Sequence, residues 1–342
     1  MINLKDLTYD ELTDFVKAQG ESAFRGGQIF SWLHKGVMEI DEMTNLSKGF
    51  REKLKKMAYI SAPQIVVKKT SKLDGTIKYL FELNDGNCIE TVVMKYNHGL
   101  SICVSTQVGC LMGCKFCAST IDGKVRNLTA GEISDQVIFA QKDIGERISN
   151  IVLMGIGEPF DNFENVLTFL NNITHPAGLN IGWRHISLST CGIVPGIKKL
   201  ADMETQINLC ISLHASDNET RNNIMPVNRK YPISELIEAA RYYINKTKRR
   251  ITFEYALIEG VNDSEAHAKN LAKLLSGMLC HVNLIPVNHV EERGYKKSRY
   301  VAEFCERLGS LGINATVRRE LGSDISASCG QLRRKYNKEK EN

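Results

Sequence analysis

Apolar residues recur at helical spacing through the first part of the chain. A capping box formed by Thr8 and Glu11 opens the first predicted helix. The apolar pattern then predicts a second helix that ends near Gly36 and a third that begins near Ser47. We therefore expect a small helical domain over residues 1–60.

Basic residues follow one side of the third predicted helix. A solvated helix face is the commoner reason for such a pattern, and contact with phosphate groups is the alternative. The sequence favours neither explanation for this group, which comprises Arg51, Lys53, Lys55 and Lys56.

Residues 61–98 change to the pattern of β-strands. Two Asp-Gly pairs, at Asp74 and Asp85, interrupt it in the manner of hairpin turns. We predict a short antiparallel meander here, a β-rich linker between the helical domain and the rest of the chain.

Beyond this linker, apolar runs typical of buried strands alternate with helical patterns. The first of these helices opens with a second capping box, formed by Thr129 and Glu132. Such alternation indicates a parallel sheet covered by helices, either open or closed into a barrel. In these sheets ligands bind at the carboxyl ends of the strands. We assign residues 99–332 to this α/β domain and expect the charged tail, residues 333–342, to be frayed. The predicted strands cover 151–154, 185–189, 207–213, 251–257, 282–287 and 314–317.

The composition narrows the class of protein. With 342 residues, 43% of them hydrophobic and 24% charged, the chain has the make-up of a globular protein with one large domain and one or two small ones. No apolar run approaches the ~20 residues that span a bilayer, so we expect no membrane segment. Ten cysteines without a secretion signal are typical of a reducing cytoplasm. The net charge of +5 permits a nucleic-acid partner without requiring one.

Three of these cysteines, Cys110, Cys114 and Cys117, lie at positions i, i+4 and i+7. A helix-like wrap of this segment brings their three sulfur atoms to one side. If the cysteines were instead core thiols, the apolar residues between them would point away from the core. Gly109 and Gly113 weaken a regular helix and favour a loop wound around an inorganic centre.

The number of thiols favours an iron–sulfur cluster over zinc. Structural zinc takes four ligands, commonly as two Cys pairs or as two Cys and two His. Only Cys114 and Cys117 form such a pair, and the loop contains no His. Three thiolates suit a [4Fe-4S] cluster with one iron left open for a substrate or cofactor. The C-x3-C-x2-C spacing, with an aromatic residue before the last cysteine, resembles the radical S-adenosylmethionine superfamily.

Polar side chains follow several predicted strands. Gly157 and Glu158 come after the strand at 151–154, where glycine permits close approach of the backbone and the carboxylate can accept hydrogen bonds from an amine or a ribose. A tight turn is the alternative. Several polar strand ends together predict one ligand held across the sheet, although His214 taken alone suits a satisfied loop residue. The other polar segments are 187–190, 212–214 and 287–289.

Two more cysteines stand out by position. Cys103 lies on the strand that leads into the cysteine loop, and Cys329 lies among small residues after the last predicted strand. A loop cysteine of this kind is commonly exposed and reactive. Spacing alone does not separate either residue from a spare buried thiol.

Short segments between Phe24 and Leu332 resemble one family, the radical S-adenosylmethionine RNA methyltransferases that modify carbon 2 of adenosine, known as the RlmN family. The match is specific because many segments occur in the family's order. Ser326 and Ser328 depart from residues common in the family but leave Cys329 in place. The matching segments are 24–29, 87–92, 103–110, 154–159, 188–190, 212–214, 225–228, 260–263 and 329–332.

The resemblance implies a fold and a cofactor site. The fold is a partial (β/α)6 barrel with a small N-terminal helical domain. Cys110, Cys114 and Cys117 would bind a [4Fe-4S] cluster, and S-adenosylmethionine would chelate its open iron through the amino and carboxylate groups. The positions that look like its binding residues are Gly157, Glu158, Ser189, Ser212, Leu213, His214 and Asn288.

The resemblance also implies a two-stage mechanism, because carbon 2 of adenine is electron-poor and a plain methyl transfer to it fails. One S-adenosylmethionine methylates Cys329. A second is cleaved at the cluster to a radical that takes hydrogen from this methyl group, and the resulting carbon radical adds to the ring. Glu90 matches the family's proton acceptor. Attack by Cys103 then releases methylated RNA and leaves a Cys103–Cys329 disulfide, which a reductant must reset.

The partners that the resemblance implies are 23S ribosomal RNA, transfer RNA and an electron donor such as flavodoxin or ferredoxin, for a monomer in the cytoplasm. Three other functions compete. The sister family that methylates carbon 8 of adenine and confers antibiotic resistance shares the functional cysteines, although Val108 and Pro159 look more like the carbon 2 family. A radical maturase acting on protein would show no dependence on RNA. A zinc RNA-binding module would be colourless and would not cleave S-adenosylmethionine.

Overall fold

A computed structural model describes residues 1–287, 290, 292–325 and 330–341 of the chain. The first sixty residues form the predicted helical unit, whose apolar side chains pack into a core of their own. Thr8 and Glu11 form the predicted capping box, and Ser47 caps the third helix. The elements are β1 (Ile2–Asn3), α1 (Tyr9–Ala18), α2 (Ala23–His34), α3 (Lys48–Lys55) and β2 (Ala58–Tyr59), with β1 and β2 parallel.

Most of the basic side chains of α3 contact their own domain. Arg51 and Lys53 donate to backbone carbonyl oxygens of the helical unit, each over 2.6 Å. Lys55 forms ion pairs with Asp41 and Glu52. These contacts account for much of the charge on α3 without a partner molecule.

The rest of the chain alternates between strands and helices around one sheet. Thr129 and Glu132 form the second predicted capping box, at the start of the helix that follows the cysteine loop. The elements are β3 (Gln64–Thr70), β4 (Ile77–Glu82), β5 (Cys88–Tyr96), β6 (Gly99–Cys103), β7 (Gln107–Gly109), β8 (Lys124–Asn127), α4 (Ala130–Ile144), β9 (Ile148–Leu153), α5 (Phe163–Thr174), β10 (Ile186–Thr190), α6 (Val194–Asp202), β11 (Asn208–Ser212), α7 (Asn218–Ile224), α8 (Ile233–Thr247), β12 (Ile251–Leu257), α9 (Glu265–Leu275), β13 (Cys280–Pro286), α10 (Val301–Ser310), β14 (Ala315–Val317) and α11 (Gln331–Glu341).

Within the described residues, ten of these strands form a single sheet in the order β14-β13-β12-β11-β10-β9-β6-β5-β4-β3. Strands β6 and β9 to β14 run parallel, which gives the predicted partial barrel. Strands β3 to β5 continue the same sheet in antiparallel fashion. The predicted meander is therefore an extension of the barrel sheet, because β5 pairs directly with β6.

The two faces of the sheet differ in character. Alternate residues such as Ile186 and Leu188 pack against the helices in the main core. Their neighbours Ser187 and Ser189 therefore point to the opposite side, which we call the inner face. The same alternation puts Cys103 on the inner face, since Ile102 and Val104 belong to the core.

The charged end of the chain is helical, and the expectation of a frayed tail is wrong. Helix α11 covers Gln331–Glu341. Two of its charged side chains form ion pairs: Arg334 pairs with Asp122 and Glu292, and Lys340 pairs with Glu82. Tertiary contacts of this kind supply the stability that a short polar helix lacks by itself. No helix among the described residues has the length and apolar character needed to cross a membrane.

Candidate active site

The cysteine loop begins at a narrow neck between β7 and β8. Gly109 adopts a φ of +78°, and a Cβ atom at this position would lie 1.9 Å from the carbonyl oxygen of Gly123. Cys110 donates its backbone N–H to the same oxygen over 2.9 Å. Gly113 also has a positive φ, +69°, within the loop. The two glycines thus permit the loop that the sequence predicts.

The three thiols of the loop influence one another. Burial, together with repulsion from the nearby Cys117, raises the pKa of Cys110 to about 12. Burial also raises the pKa of Cys114, with added repulsion from Cys117 and Cys110. A cationic centre bound here would stabilise the thiolate forms, which are the forms that bind metals.

The donor set of the loop suits a cluster better than a single ion. Among the described residues, no group of three or more His, Cys, Asp or Glu side chains is placed to hold one metal ion. Cys110, Cys114 and Cys117 supply three thiols from one loop, the set that a [4Fe-4S] cluster with one open iron takes. Structural zinc would take a fourth protein ligand.

Glu158 lies at the carboxyl end of β9, beside the start of the loop after β10. Its carboxylate accepts backbone N–H groups of Phe160 over 3.1 Å and Cys191 over 2.7 Å. Burial raises the pKa of Glu158, and these hydrogen bonds oppose the rise. A carboxylate retains acceptor capacity beyond two hydrogen bonds, so Glu158 can also bind an amine.

The glycines near Glu158 serve packing inside the protein. Gly157 has a φ of +113°, and a Cβ atom there would lie 2.7 Å from Cβ of Gln107. A Cβ atom on Gly155 would lie 2.6 Å from the carbonyl oxygen of Val104. The sequence predicts that glycines here allow the close approach of a ligand, whereas the close neighbours in the structure are Gln107 and Val104 of the same chain.

His214 and its neighbours lie at the carboxyl end of β11. The ring of His214 meets the ring of Phe116, in the cysteine loop, edge to face with 4.9 Å between centroids. Its Nδ1 accepts the N–H of Ala256 over 2.8 Å, so the proton of the neutral ring lies on Nε2. Burial lowers the pKa of His214 to about 3, which keeps the ring neutral. This contact joins the cysteine loop to the strand ends that carry Ser212 and Leu213.

Two buried polar residues that the sequence did not single out hold these strand ends. Arg221, on α7, donates to carbonyl oxygens of Cys191, Ser212 and Leu213 over 2.7 to 3.0 Å. Asn262 donates to the carbonyl oxygen of His214 over 2.8 Å. The only sequence signal was that Asn262 fell within a matching segment.

Cys103 lies on the inner face in a small apolar cluster. Val92 of β5 and Val152 of β9 lie directly opposite it on the adjacent strands. Leu321 packs against the same cluster. Cys329 lies outside the described residues, so the predicted disulfide with Cys103 gains no support and stays a prediction.

Glu90 lies on the inner face of β5, two residues from Val92. Its carboxylate forms an ion pair with Lys78 and accepts backbone N–H groups of Gly330 and Arg333. Lys78 is a further residue that the sequence reading missed. The predicted binding residue Asn288 lies outside the described residues.

Family comparisons agree with this geometry. A family model described as the ribosomal RNA large subunit methyltransferase N-terminal domain matches residues 2–60, and the radical SAM superfamily model matches residues 104–272. A crystal structure of a radical SAM methyltransferase from Sphaerobacter thermophilus has a TM-score of 0.91 and 44% sequence identity, covering 97% of this chain and 99% of that chain.

Full-length relatives are also similar. A Clostridium novyi protein described as "Probable dual-specificity RNA methyltransferase RlmN" is 58% identical over 98% of this chain and 99% of its own length. An Alkaliphilus oremlandii protein with the same description is 59% identical over 98% of each chain. The similarity therefore includes both the helical unit and the barrel.

Proposed function

Because the chain belongs to the RlmN family of radical S-adenosylmethionine RNA methyltransferases, we propose that it methylates carbon 2 of adenosine in both 23S ribosomal RNA and transfer RNA. The enzyme uses a [4Fe-4S] cluster and S-adenosylmethionine. When bound, these groups supply the methyl group and the radical chemistry that an electron-poor ring carbon requires.

One observation carries the proposal for the cysteines. Cys103 is buried on the inner face, and Leu321 packs against its cluster. Gly330 is hydrogen-bonded to Glu90, which lies two residues from Val92, the cross-strand neighbour of Cys103. Segments on both sides of Cys329 thus lie near Cys103, which supports a pairing of the two sulfur atoms during the reaction.

The proposed roles of the two cysteines are distinct. The sulfur of Cys329 accepts the methyl group and loses its proton to solvent. After this carbon has bonded to the adenine, the ring loses its carbon 2 proton and one electron, which the oxidised cluster would accept. The thiolate of Cys103 then attacks the sulfur of Cys329. The S–S bond forms as the S–C bond breaks, and the electron pair of the S–C bond takes up a proton at the new methyl group. A dithiol reductant then returns both sulfurs to thiols.

The S-adenosylmethionine site is proposed at the carboxyl ends of β9, β10 and β11. Glu158 would accept hydrogen bonds from the amino group, and the Nε2–H of His214 would donate one. Arg221 and Asn262 hold the backbone of this site in place. The binding residues are Gly157, Glu158, Ser189, Ser212, Leu213, His214 and Asn288.

The choice of carbon 2 over carbon 8 rests on the relatives, which are described as RlmN enzymes over their full length. Their description as dual-specificity enzymes supports two RNA substrates for this chain. Both RNAs lie in the cytoplasm, where flavodoxin or ferredoxin would supply electrons. We therefore place the enzyme in that compartment.

The test compares Cys103→Ala and Cys329→Ala, with Cys305→Ala as control. Reconstituted enzyme is incubated anaerobically with S-adenosylmethionine, reductant and labelled transfer RNA or a 23S fragment. We expect Cys103→Ala to accumulate a covalent RNA adduct, Cys329→Ala to form neither adduct nor product, and Cys305→Ala to turn over normally. Equal crosslinking by the first two variants would overturn the assignment of roles.

A further inference from the structure

Both oxygens of the Glu90 carboxylate accept donors from inside the protein. Its Oε2 atom lies 2.9 Å from Nζ of Lys78 and accepts the N–H of Gly330 over 2.8 Å. Its Oε1 atom accepts the N–H of Arg333 over 2.6 Å. Both side chains of the ion pair are fully buried. A carboxylate at a helix N-terminus gains both charge-assisted hydrogen bonds and the favourable end of the helix dipole.

The backbone at Gly330 is enclosed from the other side by the segment that follows Cys117. Gly330 has a φ of +84°, and a Cβ atom there would lie 2.8 Å from both N and Oγ of Ser119. One turn farther along α11, Arg334 pairs with Asp122 over 3.2 Å. The start of α11 is therefore fixed between the Lys78–Glu90 pair and the end of the cysteine loop.

Gly330 is covalently bonded to Cys329, so its position limits where the sulfur of Cys329 can lie. We infer that Glu90 and Lys78 are positioning residues, which hold the backbone next to Cys329 at a fixed place relative to the cluster cysteines. The inference rests on the proposed role of Cys329 as methyl carrier. It differs from the proton-acceptor role that the resemblance implies for Glu90.

The choice of a buried ion pair at this place supports the inference. A buried pair seldom stabilises a fold more than apolar residues of the same volume would. Apolar side chains, however, could not accept the two backbone N–H groups of Gly330 and Arg333. The pair thus supplies a specific attachment for the helix, with Lys78 balancing the charge of Glu90.

The two roles of Glu90 predict different behaviour when Lys78 is changed. If Glu90 were a proton acceptor, Lys78→Met would leave the base in place, and methyl transfer to Cys329 would proceed before any RNA is bound. If the ion pair instead holds the start of α11 in place, Lys78→Met and Glu90→Gln should both slow the methylation of Cys329. That step occurs before any RNA is bound. The chain offers a matched control in its other buried pair, Lys5 and Asp135, which joins the helical unit to α4.

The experiment compares Lys78→Met, Glu90→Gln and Lys5→Met as reconstituted, RNA-free enzymes. The first readout is deuterium exchange of the peptide that contains Gly330 and Arg333. Glu90→Gln loses the charge-assisted hydrogen bonds, and in Lys78→Met the unpaired buried carboxylate takes up a proton or moves away. Either change should speed exchange there by about 10- to 100-fold. The second readout is the rate at which labelled S-adenosylmethionine methylates Cys329, which should fall about 100-fold for a misplaced sulfur. Lys5→Met should match the wild type in both readouts.

Two outcomes would overturn the inference. One is wild-type exchange at the start of α11 in Glu90→Gln. The other is normal methylation of Cys329 in that variant, with a block only at release of the RNA adduct, as expected for a proton acceptor. If the wild type itself never methylates Cys329, the proposed function fails, and the exchange readout still decides whether the pair holds α11. If Lys78→Met does not fold, the double variant Lys78→Met with Glu90→Leu is used instead, because it leaves no unpaired charge.

Discussion

Among the described residues, two lysine–carboxylate pairs are buried, and each holds a different part of the fold. Lys5 pairs with Asp135 and donates to the carbonyl oxygen of Ser61 over 2.7 Å, while Ser61 donates its hydroxyl to Asp135 over 2.8 Å. This network joins the helical unit to α4. Lys78 pairs with Glu90, whose remaining hydrogen bonds come from the backbone of α11.

The difference lies in what each carboxylate holds. Asp135 accepts from side chains at the junction of two cores, so it helps to dock two preformed units. Glu90 accepts from the backbone N–H groups of Gly330 and Arg333, so it fixes the start of a helix whose sequence is mostly polar. Because buried pairs add little net stability, their main contribution in both places is the position of the attached element.

The largest effect on stability should come from breaking either pair. Lys78→Met and Lys5→Met each leave a buried carboxylate without its cation, which should lower the free energy of unfolding by about 3–5 kcal/mol. Anaerobic denaturant unfolding measures this. Replacing Asp135 by Leu as well should recover most of the loss from Lys5→Met. Glu90→Leu should recover less of the loss from Lys78→Met, because the N–H groups of Gly330 and Arg333 then lack their acceptor. A cost below about 1 kcal/mol for Lys78→Met would mean that Glu90 finds another partner or water.

Two glycine variants distinguish the stability cost of overpacking between α11 and the cysteine loop from the cost of backbone strain. Gly330→Ala brings a Cβ atom against Ser119, whereas Gly277, with a φ of +70°, has open space at the same position. Gly277→Ala should cost about 1 kcal/mol for strain alone. Gly330→Ala should cost about 2–4 kcal/mol, because overpacking adds to strain. Equal losses of stability in the two variants, measured by thermal or denaturant unfolding, would contradict the close contact between Gly330 and Ser119.

The barrel and the helical unit should also differ in how much stability they lose in acid. The pKa of buried His214 is lowered to about 3, and that of half-buried His34 to about 4. A lowered pKa stabilises the fold above the ordinary value of about 6.5, and this stability is lost as the pH falls toward the folded value. Between pH 7 and pH 5, His214 should remove about 2 kcal/mol, and His34 less because of its exposure.

Denaturant unfolding at both pH values checks this expectation. His214→Gln should flatten the pH dependence more than His34→Gln does. If the free energy of unfolding of His214→Gln depended on pH as in the wild type, the His214 ring of the wild type would take up a proton in the folded protein.

The smallest effect should come from the outer face of α11. Arg334→Ala removes pairs with the half-exposed Asp122 and Glu292, and should cost only about 0.5–1 kcal/mol. Deuterium exchange at Gly330 should stay near the wild-type rate. If exchange in Arg334→Ala were as fast as in Glu90→Gln, the surface ion pairs of Arg334, and not the buried pair, would hold α11 in place.

Much of the fold and of the candidate site could be predicted from local patterns. The capping boxes at Thr8 and Thr129, the alternating strands and helices, and the loop that contains Cys110 all carry signals within a few residues of sequence. Polar strand ends indicated where a ligand would bind, because parallel strands end at one edge. These features depend on short-range geometry.

The parts that could not be predicted depend on contacts between distant segments. Lys78 lies in the run Ile77-Lys78-Tyr79, which reads as a strand with one solvated face, and only α11 makes that face buried. Arg221 sits in the short polar helix α7, which has a weak apolar pattern. Helix α11 itself is charged throughout, and its partners lie in β4, β5 and the cysteine loop.

The most direct test of the central claim is nucleoside mass spectrometry of the methylated product. Reconstituted enzyme, S-adenosylmethionine and reductant would be incubated with unmodified 23S fragment or transfer RNA, and the digest compared with chromatographic standards. The account predicts 2-methyladenosine from both RNAs. Formation of 8-methyladenosine, or cleavage of S-adenosylmethionine without any methylated adenosine, would contradict it.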